Sequence, residues 1–282
     1  MFRYEHLEAS PAHQATLRAH GLETVEKVFQ TVGEVVTHTR TTEVRRVTLR
    51  TPAGETHYYL KLYWVNRPAQ LWKGMFRGTL FGRAKVRREF RNLETVRAAG
   101  LDAPEPIAFG IERRFGWITR SFLISAGVPD PMPLHEFIRE KFPAAATSSG
   151  QPERATLIEN LARYTRRLHE GHFVHHDYFW RNILLTRGDI AHFYLVDSHK
   201  GRRWWPWQES RSRAADLAAL DAPAARFFRR TERLRFFLVY RGHRHLDAGD
   251  KELLRRTLSL AAPMREAQTR RALHALHPRL QA

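Results

Sequence analysis

Cysteine is absent from all 282 residues. Disulfides, thiol nucleophiles and thiolate metal sites are therefore excluded, and nothing points to an oxidising compartment. Acidic residues are scarce: 29 Asp and Glu stand against 47 Lys and Arg, a formal net charge of +18. A surplus of that size implies an anionic partner: nucleic acid, an anionic membrane face or a phosphorylated substrate. No apolar run approaches the roughly 20 residues that span a bilayer. Met1 to His20 is polar and charged, without a signal-peptide apolar core, so the expected location is the cytoplasm. Glycine-rich phosphate loops are also missing. There is no G-x-G-x-x-G and no Walker A motif, which removes a P-loop nucleotide site. No recognised nucleic-acid module is found, and no nucleic acid is expected as a partner. The 43% of apolar residues suffices for one domain of two lobes or two small domains.

What is present is concentrated in His175-His176-Asp177-Tyr178-Phe179-Trp180-Arg181-Asn182-Ile183-Leu184-Leu185, followed fifteen residues after Asn182 by Asp197 at the end of Tyr-Leu-Val-Asp. An H-x-D-x-x-x-x-N loop, an apolar hairpin and a second Asp form the catalytic and metal loops of a protein-kinase-like phosphotransferase. The spacing has a chemical reason, since three groups must converge on one phosphoryl group. Asp177 would take the proton of an acceptor hydroxyl, and Asn182 and Asp197 would hold Mg²⁺ on the ATP phosphates. The flanks agree. Ala155 to Glu170 carries Leu157, Leu161, Tyr164 and Leu168 at helical spacing, with Gly171 placed to end the helix. Ile183 to Leu185 and Phe193 to Val196 surround a Thr-Arg-Gly-Asp turn, hence a hairpin. His169, His172, His175 and His176 could suggest a transition-metal site. Helix end and catalytic loop already explain their spacing, and no cysteine completes a ligand set.

Residues 1–32 read as a helical preface with Leu22, Val25, Val28 and Phe29 on one face. Residues 33–127 read as a strand-rich lobe with a basic insert at 67–88, and 128–282 as a mainly helical lobe. The spacing predicts a hairpin through Thr37 to Thr42, then a strand, Thr56 to Trp64, whose alternation points Lys61 to one face. Lys61 would reach the ATP phosphates. A carboxylate on the next helix, Arg87 to Ala99, would hold it: Glu89 is the first choice and Glu94 the competitor. Taken alone, Glu89 among so many arginines would read as a surface salt-bridge residue, and that remains the lesser alternative. Ile107 to Ile111 and Trp117 to Ile124 read as a strand pair, with Phe122 to Ala126 as an adenine hinge. Phe227 to Tyr240 reads as one basic helix. Between Arg67 and Arg91, eight Lys or Arg face one acid, Glu89, with Leu71, Trp72, Met75, Phe76, Leu80 and Phe81 interleaved. That mixture suits anionic lipid headgroups, or else is a solvated basic face. After Asp197, Arg202-Arg203-Trp204-Trp205-Pro206-Trp207 could bind an acceptor or simply pack.

The run Gly33 to Val36, Arg40 to Thr42, Lys61, the basic aromatic insert, Arg88-Glu89-Phe90, Gly100 to Pro106, His175 to Leu185, Val196-Asp197 and Asp216-Leu217-Ala218 resembles the lipopolysaccharide core kinases of the Kdo/WaaP type over roughly residues 20–245. The resemblance implies an α+β, two-lobed protein-kinase-like fold. It implies ATP and Mg²⁺ as cofactors and a heptose or Kdo hydroxyl of the lipid-linked core as acceptor. It further implies a peripheral position on the cytoplasmic face of the inner membrane, against anionic lipid. Val-Asp-Ser-His-Lys departs from the Leu-Gln-Arg expected after the metal Asp and leaves the acceptor sugar open. Two other readings remain: a kinase of a soluble small molecule or protein hydroxyl, and a catalytically weak, nucleotide-binding membrane scaffold.

Overall fold

The computed structural model describes residues 3–51, 54–64, 84–143 and 152–276. The chain divides into two compact units, Met1–Ala98 with Ala103–Pro129, and Ala99–Asp102 with Asp130–Ala282. The basic stretch from 65 to 83, with Arg67, Lys73, Arg77, Arg83 and the aromatics between them, lies outside the described residues.

The first unit is a six-stranded antiparallel sheet in the order β1-β5-β6-β4-β3-β2. Its strands are β1 (Arg3–Ala9), β2 (Glu34–His38), β3 (Thr42–Thr51), β4 (Gly54–Trp64), β5 (Pro106–Arg114) and β6 (Trp117–Ala126). Alternation sets the faces. In β4, Tyr58, Leu60 and Leu62 are buried, while Tyr59, Lys61 and Tyr63 point the other way. The buried set joins Val47, Leu49, Ile107, Phe122 and Ile124 in one core. Leu17 of α1 (Gln14–Ala19), Leu22, and Val25 and Val28 of α2 (Val25–Gln30) complete it. Helix α3 (Lys85–Ala98) buries Val86, Glu89, Phe90, Leu93 and Val96 and meets β5 through Phe90 and Phe109, with ring centroids 5.2 Å apart.

The helical preface expected over 1–32 is corrected at its start, where Arg3–Ala9 is an edge strand paired with β5 from Arg3↔Arg114 to Ala9↔Ala108. The segment is too polar to announce a strand by its own pattern. Its pairing depends on a partner about a hundred residues away, at Glu112. That carboxylate is buried and meets Arg3 at 2.9 Å, Arg114 at 3.1 Å, Arg120 at 2.5 Å and the Thr119 hydroxyl at 3.0 Å. Burial alone would raise its pKa, but the Arg120 and Thr119 hydrogen bonds hold it below the usual carboxylate value.

The second unit is mainly helical: α4 (Leu134–Lys141), α5 (Pro152–Glu170), α6 (Glu209–Phe227), α7 (Arg230–Arg241) and α8 (Ala248–Leu276). Two small sheets join them. One is β10-β9-β7, from β7 (Pro131–Pro133), β9 (Ile183–Thr186) and β10 (Phe193–Leu195). The other pairs β8 (Phe173–Val174) with β11 (Arg202–Arg203). The expected hairpin is β9–β10, and the strand pair of the first unit is β5–β6. Helix α5 buries Leu157, Leu161, Tyr164 and Leu168 and stops at Gly171, whose N–H still reaches the Arg167 carbonyl. The single helix expected over Phe227 to Tyr240 is corrected too. The chain breaks at Phe228 and Arg229, and α7 restarts where the Glu232 carboxylate accepts the Arg229 N–H at 2.7 Å.

Gly110 of β5 faces the ring of Phe122, and a Cβ there would lie 2.2 Å from a ring carbon. Phe122 is fully buried and has nowhere to withdraw. Gly110→Ala is expected to destabilise the protein by about 1–3 kcal/mol through overpacking, read as a lower Tm; an unchanged Tm would show that the sheet has slack.

Candidate active site

Two groups of side chains carry chemistry, one in each unit. In the first unit, Lys61 projects from β4 on the face opposite Leu60 and Leu62. Its Nζ donates to both Glu89 oxygens, at 2.9 and 3.2 Å. The Glu89 side chain is only 4% exposed. That burial removes the reading of Glu89 as a surface residue. Glu94, the competitor, is 45% exposed and pairs instead with Arg91 at 2.8 Å. The preceding hairpin is closed at its tip by Thr39 N–H to the Thr42 carbonyl at 2.7 Å, with His38 on Glu43 at 2.8 Å. Gly33 is not a phosphate cradle. A Cβ there would lie 2.6 Å from Val47 and 2.7 Å from the Arg46 carbonyl, so glycine lets the strand approach β3.

In the second unit, β8 leads into His175, His176 and Asp177. A 3₁₀ turn over Trp180–Asn182 then enters β9. The loop is pinned from behind. Asp216 of α6 is fully buried and accepts the N–H of His175 at 2.7 Å and of His176 at 2.8 Å, with His169 Nε2 at 3.4 Å. Burial would push its pKa up; the His169 ring and the His175 N–H outweigh that and keep the carboxyl below its ordinary value. His169 is held in turn by the Tyr240 hydroxyl at 2.9 Å. His176 takes a left-handed backbone (φ 59°), and so does Asp197 (φ 57°). Non-glycine residues there cost about 1–3 kcal/mol each and persist where surroundings over-determine them.

The loop is also tied to the strand that carries Asp197. His175 Nε2 donates to the Val196 carbonyl at 3.0 Å, and Val196 N–H to the Asn182 carbonyl at 3.0 Å. Burial pushes the His175 pKa down. A neutral ring donating from Nε2 leaves Nδ1 an acceptor, and that atom is buried with no hydrogen-bond partner among the described residues. His175 is thus a brace. His172 packs edge-on to Trp204 at 5.5 Å and His176 contacts Arg202 at 3.1 Å. The four histidines are thus each engaged with groups of the protein.

Asp177 is nearly buried, its side chain 11% exposed. Arg181 Nη2 is 3.3 Å from one of its oxygens and Lys200 Nζ 3.4 Å from the other. Asn182 Nδ2 donates to the Asp177 carbonyl at 2.8 Å, which leaves the Asn182 amide oxygen as an acceptor. Asp197, 33% exposed, meets His199 Nδ1 at 2.8 Å. One amide oxygen and one carboxylate are hard donors that suit Mg²⁺, and the His199 imidazole holds the carboxylate in place. The residue set therefore fits a divalent ion.

Reasoning from sequence left Asp216, Lys200, Arg181 and His199 without roles. Asp216 lies forty residues from the backbone it supports, and no local pattern announces such a contact. Lys200 and Arg181 could have been found as the cations nearest the two loop aspartates in sequence.

A β-sheet unit, a helical unit and an H-x-D-x-x-x-x-N loop braced against a following Asp define a protein-kinase-like phosphotransferase. The family model described as "Lipopolysaccharide kinase (Kdo/WaaP) family" matches residues 26–240, and the chain belongs to that family. It is accordingly an enzyme that phosphorylates a sugar hydroxyl of the lipopolysaccharide core. Among solved structures, a chain described as "WaaP in complex with acyl carrier protein" is similar in fold. Its TM-score is 0.64 at 20% identity, with 94% of this chain and 98% of that one covered. No curated protein matches the sequence.

Replacing Asp216 by Asn turns one acceptor oxygen into a donor facing a backbone N–H. An unsatisfied buried group costs about 1–3 kcal/mol, so Asp216→Asn should lower Tm and reduce turnover together. Full turnover with a normal Tm would show that the loop holds its shape without this carboxylate.

Proposed function

We propose that the chain transfers the γ-phosphoryl group of ATP to a heptose or Kdo hydroxyl of the lipid-linked inner core, at the cytoplasmic face of the inner membrane. The observation that carries this reading is the bracing of Asp177, Asn182 and Asp197 into one unit of backbone through Asp216, His175 and the Asn182–Val196 hydrogen bond. A scaffold has no physical need of such a device. The sheet unit and the helical unit serve as the two lobes of the kinase.

In this reading Asp177 accepts the proton of the acceptor hydroxyl and orients it for attack. Lys61, held in one rotamer by Glu89, binds the ATP phosphates. Asn182 and Asp197 hold Mg²⁺, whose charge when bound offsets that of the phosphates. Lys200 and Arg181, each within 3.4 Å of the Asp177 carboxylate, bring positive charge to the side from which the acceptor hydroxyl attacks the γ-phosphorus. The net charge of +18 supports an acceptor that is anionic and lies in an anionic surface. No helix among the described residues is long and apolar enough to cross a membrane, so attachment would be peripheral.

Asp177→Asn is expected to keep ATP binding and to lose about 10²–10⁴-fold in kcat, the usual range for general-base assistance. Phosphate incorporated into the lipid A–core fraction, read by mass spectrometry in cells with and without the protein, is the measurement. A variant with more than half of wild-type turnover would sink the assignment.

The membrane part has its own test. Reversing Arg67, Lys73, Arg77 and Arg83 to Glu removes attractions worth about 1 kcal/mol each at an anionic surface. Attachment to acidic vesicles should be lost, and wild-type attachment should weaken steeply with salt as charges are screened beyond roughly 8 Å. Vesicle binding unchanged by the reversal would make the stretch an ordinary solvated face.

A further inference from the structure

Trp204, Trp205 and Trp207 are near neighbours in the chain with opposite fates. Trp204 is 6% exposed. Its ring packs edge-on against His169 and His172 at 5.9 and 5.5 Å, and its backbone N–H reaches the His172 carbonyl at 3.1 Å. Trp205 and Trp207 are 62% and 77% exposed. They stack nearly parallel, with centroids 5.4 Å apart and planes 9° from one another. The turn that carries them is closed by Gln208 N–H on the Trp205 carbonyl at 2.8 Å and runs straight into α6. The pair is thus fixed at both ends and left outside. Two exposed indoles forgo burial that large apolar side chains normally gain, and such exposed patches mark interaction sites.

The same segment touches the catalytic loop within its own unit. Lys200 lies 3.4 Å from Asp177, and Arg202 Nε lies 3.1 Å from His176 Nε2. Arg202 and Arg203 are exposed, and neither has a carboxylate partner among the described residues.

We propose that Trp205 and Trp207, with Arg202 and Arg203, form the platform that holds the acceptor as an acidic oligosaccharide beside Asp177. One face of a pyranose ring is lined with C–H bonds of partial positive charge, which complement the negative face of an indole. The stacked pair offers a flat, rigid outer face for such a ring. The two guanidiniums suit a carboxylate or a phosphate borne by neighbouring sugars. Insertion into lipid is the less favoured occupant. The exposed indoles are flanked by Arg202, Arg203, Gln208 and Glu209, and residues 198–211 contain no aliphatic side chain other than Pro206. A lipid-inserted element would need apolar neighbours on the same side. The inference rests on the proposed kinase reading and adds which residues choose the acceptor.

The test is calorimetric and fluorescence titration of delipidated inner-core oligosaccharide into the full chain. Expected results are an indole emission change on binding and at least tenfold weaker binding by Trp205→Ala with Trp207→Ala. The acceptor KM should rise by a similar factor while the KM for ATP is unmoved, and the Phe pair should recover most of the affinity. Arg202→Gln with Arg203→Gln keeps the indoles and decides the case if the alanine pair fails to fold. It should weaken carboxylated or phosphorylated oligosaccharide at least tenfold and neutral oligosaccharide hardly at all. Oligosaccharide affinity unchanged in both variants overturns the proposal. So does a loss confined to anionic vesicles that carry no glycan, which would make the pair a membrane anchor. Failure of the kinase reading shows separately, as wild-type protein that binds oligosaccharide but transfers no phosphate from ATP.

Discussion

Asp216 keeps a negative charge where water does not reach, and the shape of the catalytic loop depends on it. A carboxylate in that position is tolerable only because two backbone N–H groups and a histidine ring meet it. The dependence runs both ways. His176 holds a left-handed backbone at φ 59°, and the N–H groups of His175 and His176 both turn inward onto Asp216. Without the carboxylate, two buried donors would be unpaired beside a strained residue. Asp177 follows immediately, so its direction is set by a residue on another helix.

Much of this architecture is legible in the sequence. Period-two alternation in β4 marks Lys61 as facing away from the core, and helical spacing exposes α5 and its end at Gly171. The loop spacing brings Asn182 back onto the Asp177 carbonyl, and the hairpin returns the chain so that Val196 bonds to Asn182. Lys61 is legible from the alternation of β4; Glu89 is chosen by its place near the start of the next helix, and its burial is known only from the fold. What escapes is set by distant partners. Arg3–Ala9 becomes a strand because β5 offers an edge and Glu112 gathers three arginines. Asp216 stands out as part of the Asp216-Leu217-Ala218 motif, but nothing in that run announces that its carboxylate reaches the backbone of His175 and His176. The break at Phe228 is decided by Glu232 capping the next helix, a contact of a few tenths to about two kcal/mol that periodicity does not register.

The shortage of acids shapes the packing. Several carboxylates serve more than one arginine: Glu112 meets Arg3, Arg114 and Arg120, and Asp221 binds Arg233 at 2.7 and 2.8 Å and Arg265 at 2.8 Å. Asp250 joins Arg241 and His243 at 2.5 and 2.6 Å. Shared in this way, few acids fix many basic side chains within each unit. Arg202 and Arg203 lack a carboxylate partner among the described residues and lie exposed, Arg202 with its Nε 3.1 Å from His176 Nε2.

The β2–β3 pairing slips between Val35 and Thr37, and that irregularity has a consequence for how the molecule behaves in a crowd. β2 is an outer strand with Val35 and Val36 about half exposed, the kind of edge on which a second chain could continue the sheet. A bulge there twists the strand and breaks the regular row of N–H and C=O groups that a newcomer would need. At the opposite border, β1 carries Arg3, Glu5 and Glu8, which meet Glu112, the Val25 N–H and Arg91, and charged side chains along an edge discourage a flat partner. Among the described residues, the bulge at one border and the charged strand at the other both discourage self-association through strand addition.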